Sequence, residues 1–282
     1  MQRINESEKL KNILDSVRDF PPIPQTAFKV VKILDNPDYH VTDLVYCVSK
    51  DMGLTTEILR LANSALYSPS SKISTIKQAI TYLGMNTVKN LVISLSSKAL
   101  FGSGNLRLLE QKLWEHSLTV AICARLTALR VKPALAEECF IIGLLHDLGQ
   151  LILAKEVSSY ETIVQDAYNK QLDLRQMENE KLGFDHADVG GLALEKWGMP
   201  EHLTDVVRWH HQPDKSRHSD LAHLICFANN LTKSKLIGIN NHHDTEKFDI
   251  SMKYLGMTPE DSDELESALM DIYGKEKELF KI

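Results

Sequence analysis

Cysteine is sparse in this 282-residue chain. Cys47, Cys123, Cys139 and Cys226 lie far apart with no CxxC pair, which argues against a disulfide or zinc-thiolate framework and for reduced core residues. Long apolar runs are missing too: the longest, Phe140 to Leu145 around one glycine, falls far short of the roughly 20 residues that cross a bilayer, so no membrane partner is expected. Met1 to Asn12 alternates Glu, Lys and Asn with isolated apolar residues and has no apolar secretory core, which makes a cytoplasmic location the expectation. Positive charge is in deficit. With 32 Lys and Arg against 38 Asp and Glu the net charge is −6, which disfavours an extended grip on phosphate backbones, and no nucleic-acid partner is expected. No segment alternates convincingly as a strand, and there is no repeat or low-complexity tract.

What the chain does have is 43% apolar residues, enough for a sizeable core, arranged at helical spacing. Ala27, Val30, Val31 and Leu34 share one stripe, as do Val41, Leu44, Val45 and Val48; Leu54, Ile58, Leu61 and Ala65; Ile76, Ala79, Ile80 and Leu83; and Val88, Leu91, Val92 and Leu95. Pro21, Pro22 and Pro24 keep the leading segment extended, Thr75 and Gln78 form a capping box, and Gly84 supplies a helix stop. Further helices are predicted over Leu106 to Arg130, from Pro133 to near Asp147, over Leu151 to about Asn169, from Asp185 to Gly198, from Pro200 to before Pro213, over Ser219 to Lys235, and from Pro259 with Leu265, Leu269, Ile272 and Tyr273 on one face. The fold class is all-α, a helical N-terminal half packed on a second helical half. Phe101 to Asn105, with two glycines, is the best boundary, giving 1–105 and 106–282.

Eleven histidines are roughly twice the expected number, and five of them interrupt apolar faces. His116 lines up with Leu109, Leu113 and Val120. His146 follows Ile142 and Gly143, with Asp147 beside it at a helix end. His186 shares a face with Val189, Gly190 and Ala193; His210 and His211 follow Leu203, Val206 and Val207; Asn229 follows Ala222 and Ile225. An unpartnered buried imidazole or carboxylate costs kilocalories per mole, so these groups must be satisfied by one another, by water or by a metal. Any one of them alone reads as a hydrogen-bonded core histidine. Together, several neutral imidazoles beside a carboxylate suit iron, manganese, zinc or nickel, as one or two divalent ions. His40, His202, His218, His242 and His243 read as surface imidazoles, and His223 fits neither class.

The order His116, His146-Asp147, His186, His210-His211 on an all-helical chain resembles the HD superfamily of metal-dependent phosphohydrolases, and more closely its HDOD branch. The resemblance rests on Pro21 to Pro24, Leu59 to Ser64, Gln78 to Gly84, Trp114 to Ser117, Gly143 to Gly149 and Gly183 to Gly190, and covers about residues 15 to 235. It implies an HD-like second half and a scaffold or output module of bacterial signalling that acts on a protein partner. Carried over by position, His116, His146, Asp147 and Asn229 would hold one metal, and Asp147 would bridge to a second held by His186, His210 and His211. Three positions depart from the active enzymes. Asn229 replaces an aspartate, Gln150 replaces a lysine that would face phosphate, and Gln212-Pro213 follows His210-His211 with no GYP signature, so cyclic-di-GMP hydrolysis is not implied. Two divalent ions against the single charge of Asp147 would leave the pocket strongly positive unless an anion such as phosphate enters.

Two functions follow as expectations. One is a non-catalytic signalling module with a metal- or anion-holding pocket. The other is a metal-dependent phosphohydrolase acting on a phosphate ester or nucleotide, with Asp147 bridging and orienting and Lys112 or Arg125 meeting the substrate. The face with Asn63, Ser64 and Tyr67 is either a docking or interdomain surface or a capped helix end leading into the Ser68 to Ser71 turn.

Overall fold

The computed structural model of the chain describes residues 40–85, 87–88, 91–92, 95, 107–235, 237 and 242–275. The leading prolines, the Ala27 to Leu34 stripe and the Phe101 to Asn105 boundary lie outside these residues. Among the described residues the protein is helical, with no strand. In the first half, α1 (Val41–Ser49), α2 (Met52–Ala62) and α3 (Ile76–Leu83) form on the predicted stripes, burying Leu44, Val48, Ile58, Leu61 and Ala79. Asp51 caps α2 by accepting from the Leu54 amide at 3.0 Å. Thr75 and Gln78 close their capping box on α3, and Gly84 ends it at φ +85°.

Beyond these come α4 (Arg107–Val131), α5 (Ala136–Leu145), α6 (Leu148–Glu156), α7 (Tyr160–Lys170) and α8 (Leu174–Leu182), then α9 (His186–Lys196), α10 (Glu201–Trp209), α11 (Ser219–Ser234), α12 (Thr245–Tyr254) and α13 (Pro259–Lys275). The long α4 is the spine, with α5, α11 and α13 all packed along it. One apolar core runs from Leu44 through Leu113, Ile142 and Phe227 to Ile272, so both halves share it. Each of its fully buried Leu, Ile or Phe side chains contributes about 1.5–3 kcal/mol. Asn63 ends α2 by donating to the Leu59 and Ile73 carbonyls while accepting the Ile73 amide. Tyr67 lies under the Arg125 guanidinium, 4.6 Å from ring centre to Cζ. That face is therefore a capped turn and a contact between the halves.

The helix predicted over Leu151 to Asn169 is two helices. Val157 turns extended (φ −115°, ψ 103°), and the two serines after it let α7 restart with Tyr160 fully buried. Helices α8 and α12 have no counterpart in the sequence reading. Their stretches are rich in charged and amide side chains that mask the apolar period.

Candidate metal centre

Five helix segments deliver the polar residues to one place. His116 projects from the middle of α4. The α5 helix ends at Leu145, His146 is its cap, and Asp147 precedes α6. His186 opens α9 behind the Asp185 cap, whose box with Asp188 fixes the start of that helix. His210 and His211 follow the end of α10, and Asn229 lies on α11. Two glycines permit the convergence. A Cβ at Gly143 would lie 2.7 Å from the Ala121 Cα, so only glycine lets α5 lie this close to α4. A Cβ at Gly149 would run into the His186 carbonyl oxygen and sit 2.9 Å from the Gly190 nitrogen, so glycine there brings α6, and Asp147 with it, against α9.

Asp147 occupies the centre, 2% exposed, and its two oxygens face different partners. Oδ2 lies 3.2 Å from His146 Nε2 and 3.5 Å from His116 Nε2. Oδ1 lies 3.2 Å from His186 Nε2 and 3.7 Å from His210 Nε2. His211 Nε2 is 3.0 Å from His186 Nε2, and Asn229 Oδ1 is 3.1 Å from His116 Nε2. One ligand atom from each of Asp147, His186, His210 and His211 lies within 4.8 Å of the others, and the same holds for His116, His146 and Asp147. All seven residues singled out in the sequence are thus brought together, the six besides Asp147 around its carboxylate.

The outer sides of the rings decide what the inner sides offer. His146 Nδ1 donates to the Gly143 carbonyl at 2.7 Å, His210 Nδ1 to Val207 at 2.6 Å and His116 Nδ1 to Ile237 at 3.1 Å. A carbonyl only accepts, so the proton of each neutral ring sits on Nδ1 and the Nε2 lone pair points inward. His146 Nε2, His210 Nε2 and Asp147 Oδ1 are buried with no hydrogen-bond partner. Acceptors that converge with no donor among them except the His186 Nε2 proton, which a metal would displace, are the donor set of a cation, and the carbonyl contacts are the outer-shell bonds that orient metal-bound histidine.

Glu178 was missed by the sequence reading. Fully buried on α8, it accepts from His186 Nδ1 at 2.7 Å and from the His186 amide at 3.0 Å, while its other oxygen accepts from Tyr160 Oη at 2.5 Å. Its signal was present, since Glu178 shares the buried face of α8 with Leu174, Met177 and Leu182.

Electrostatics separate the rings. Burial lowers the His116 pKa to about 3 despite the opposing Asp147 charge, and burial with neighbouring imidazoles holds His210 and His211 well below their ordinary value. Burial also opposes charge on His186, but Glu178 and then Asp147 outweigh it and push its pKa up to about 10. Burial would raise Asp147, yet His146 and His186 hold its carboxyl well below the usual range.

Several minor expectations are corrected. Lys112 pairs with Glu115 at 3.2 Å and Arg125 with Glu137 at 3.0 Å, and neither lines the cleft over the cluster; its cations are Arg175, Lys233 and Lys247. His242 lines that cleft, and His243 Nδ1 donates to the Asn230 carbonyl at 3.0 Å. His223 is a core histidine, stacked on Tyr254 at 3.9 Å with Nδ1 3.1 Å from Ser251 Oγ.

Comparison with known proteins agrees with this architecture. The HDOD domain family matches residues 20–213. The chain belongs to the HDOD family. Its fold is similar to the crystal structure of an HDOD domain protein of unknown function from Geobacter sulfurreducens, with 25% identity, a TM-score of 0.79, and 96% of this chain and 99% of that one covered. It is also similar to a proposed phosphohydrolase from Shewanella amazonensis SB2B, with 26% identity, a TM-score of 0.75 and coverage of 95% and 96%. An uncharacterized protein of Treponema pallidum (strain Nichols) is 25% identical over 224 residues, which cover 77% of this chain and 43% of that one. The HDOD chain thus spans less than half the length of the curated relatives it matches. No helix among the described residues is long and apolar enough to cross a membrane.

Proposed function

We propose that this HDOD protein is a regulatory module of bacterial signal transduction, in which a histidine-rich centre holds one or two divalent transition metals and the helical body acts on a protein partner. The observation that carries the metal reading is the set of orphaned inward atoms, His146 Nε2, His210 Nε2 and Asp147 Oδ1, around one buried carboxylate. Neutral imidazoles with a single carboxylate select Fe, Mn, Zn or Ni over Mg or Ca. His116, His146, Asp147 and Asn229 would hold one ion, and Asp147 with His186, His210 and His211 a second. Asn229 supports the non-catalytic reading, because a neutral amide is a weaker ligand and offsets none of the cation's charge. Metal analysis of protein purified without chelator or affinity tag tests the assignment. Stoichiometric Fe, Mn, Zn or Ni is expected, and metal-free protein that fails to take up any of the four would overturn it.

The second reading, a metal-dependent phosphohydrolase, is favoured by the cleft that opens onto His116, Asp147 and His186 and by the proposed activity of the Shewanella relative. A bound divalent ion would supply a hydroxide-forming site and polarise a phosphoryl oxygen. Turnover of phosphate esters by the metal-loaded protein above about 1 s⁻¹, the low end for enzymes, would replace the first reading with this one. Asn229→Asp separates the two. A latent hydrolase gains metal affinity and activity, whereas a scaffold gains metal alone.

A further inference from the structure

A second hollow shares no lining residue with the cleft over the cluster. It is an open groove of about 540 Å³ along α10, within the size range of sites that hold organic ligands. Two neighbouring stripes of α10 set its walls. Thr204 and Arg208 face α9, where a Cβ on Gly191 would lie 2.9 Å from the Arg208 Cβ and 3.2 Å from the Thr204 carbonyl oxygen. Asp205 and Trp209, one position further round, face the chain after Pro213. Asp205 accepts from Ser216 Oγ at 2.6 Å and from the Arg217 amide at 2.9 Å, and the Lys215 ammonium stands 5.2 Å from the centre of the Trp209 ring. From Glu201 to Trp209 the helix rises about 12 Å, the reach of roughly four extended residues.

Most charges along the groove are committed. Glu201 pairs with Arg217 at 2.5 Å and accepts from His218 Nε2 at 2.9 Å, and Arg208 lies 3.7 Å from Asp188. Two are not. Glu195, exposed on α9, and Lys215, exposed on the turn, have no oppositely charged side chain within ion-pair distance among the described residues. The groove thus offers an unpaired anion, an unpaired cation and the half-buried apolar surfaces of Trp209 and Met199. Tryptophan is among the side chains that most often anchor protein interfaces.

We propose that this groove docks an extended segment of a protein partner that carries an acidic side chain for Lys215, an apolar one for Trp209 and a basic one for Glu195. Charge complementarity selects the occupant: a polypeptide presents acid, apolar group and base at the spacing of its own residues, and opposite charges in the groove reject segments of one sign. The inference rests on the protein-partner part of the proposed function and names its surface; the metal reading does not depend on it.

The test selects binders to the full chain from a random eight-residue peptide library and measures the leading peptide by fluorescence anisotropy. Selected peptides are expected to combine an acidic, an apolar and a basic residue. Lys215→Glu and Glu195→Lys should each weaken the leading peptide about tenfold or more, because each sets like charges against one another. Exchanging the peptide's acidic residue for lysine should restore binding to Lys215→Glu and not to Glu195→Lys. Both side chains are exposed, so both variants are expected to fold, which circular dichroism checks. Selection without that composition, or no selection at all, overturns the groove. Binding that ignores both reversals also overturns it and leaves the proposed function standing with its partner on another face. A wild-type dimer that either reversal dissociates in sedimentation would make the occupant a second copy of this chain and overturn the partner segment. Metal content, measured on the same preparations, is expected to be equal in wild type and variants, and its absence from all three counts against the metal reading alone.

Discussion

Glu178 and His186 share two bonds: the carboxylate accepts both the ring Nδ1–H at 2.7 Å and the backbone amide at 3.0 Å, and the far side of the same ring lies 3.2 Å from Asp147. A buried acid thus sits behind a candidate ligand, with Tyr160 closing its other oxygen. Such a partner fixes the ring's tautomer and raises its basicity toward a cation.

Glu178→Gln keeps the shape of this contact and removes its charge. It is expected to weaken metal binding by about 10–100-fold, the range for outer-shell changes, as measured by competition with a chromophoric chelator. Glu178→Ala also strips the acceptor from Tyr160 and the His186 amide and should unfold the protein more readily, by roughly 3 kcal/mol in denaturant titrations.

Because His186 carries a proton up to about pH 10 without metal, an ion that takes its Nε2 must displace that proton. Metal binding at pH 7.5 is expected to release about one proton per protein. Calorimetry in buffers of different ionisation enthalpy reads this number, and Glu178→Gln should lower it.

Acid should destabilise the metal-free protein well above the carboxylate range. His116, with a folded pKa of about 3, and His210 and His211, held well below their ordinary value, stay neutral when folded. The unfolded chain protonates them below about pH 6.5, so it binds more protons and stability falls as pH drops, by up to about 1.4 kcal/mol per pH unit for each ring. His186 runs the other way: its contribution is complete below about pH 6.5 and is lost as pH rises towards about 10. Asp147 contributes above its unfolded value and loses that only as pH falls below it. Denaturant titrations at pH 5.5 and 7.5 should show lower stability at 5.5; equal stability would contradict a buried neutral cluster.

Gly149→Ala should damage the centre without touching a ligand. The new methyl group meets the His186 carbonyl, so α6 and α9 must separate, at a cost of about 1–3 kcal/mol for overpacking. Metal affinity should fall with it, because Asp147 and His186 move apart. Gly274→Ala is the control: a Cβ there meets nothing within 4 Å, and a helical alanine is expected to be neutral or to stabilise by roughly 0.5–1 kcal/mol.

Chelation should lower the melting temperature and re-addition of Fe, Mn, Zn or Ni should restore it. At free metal about 1,000-fold above its Kd the stabilisation is about 4 kcal/mol. A melting temperature indifferent to both treatments would point to a cluster that is merely hydrogen-bonded.

The sequence alone determined most of the helices and the family, because apolar period, caps such as Thr75 with Gln78, and motifs such as Gly143 to Gly149 are local properties of the chain; α8, α12 and the break at Val157 escaped it. It also named the six imidazole and amide residues that surround Asp147, since a polar residue on an apolar stripe is visible without coordinates. Only tertiary structure decided which oxygen of Asp147 faces which ring, and that Glu178 backs His186 from another helix. It also put Lys233 in the cleft, where Lys112 and Arg125 had been expected to meet the substrate. Periodicity gives the direction of a side chain from its own helix axis, but a contact between two helices depends on their separation and crossing. Here these are set by close approaches at glycines such as Gly143 and Gly149, and the chain shows the glycines but not that Ala121 and His186 face them.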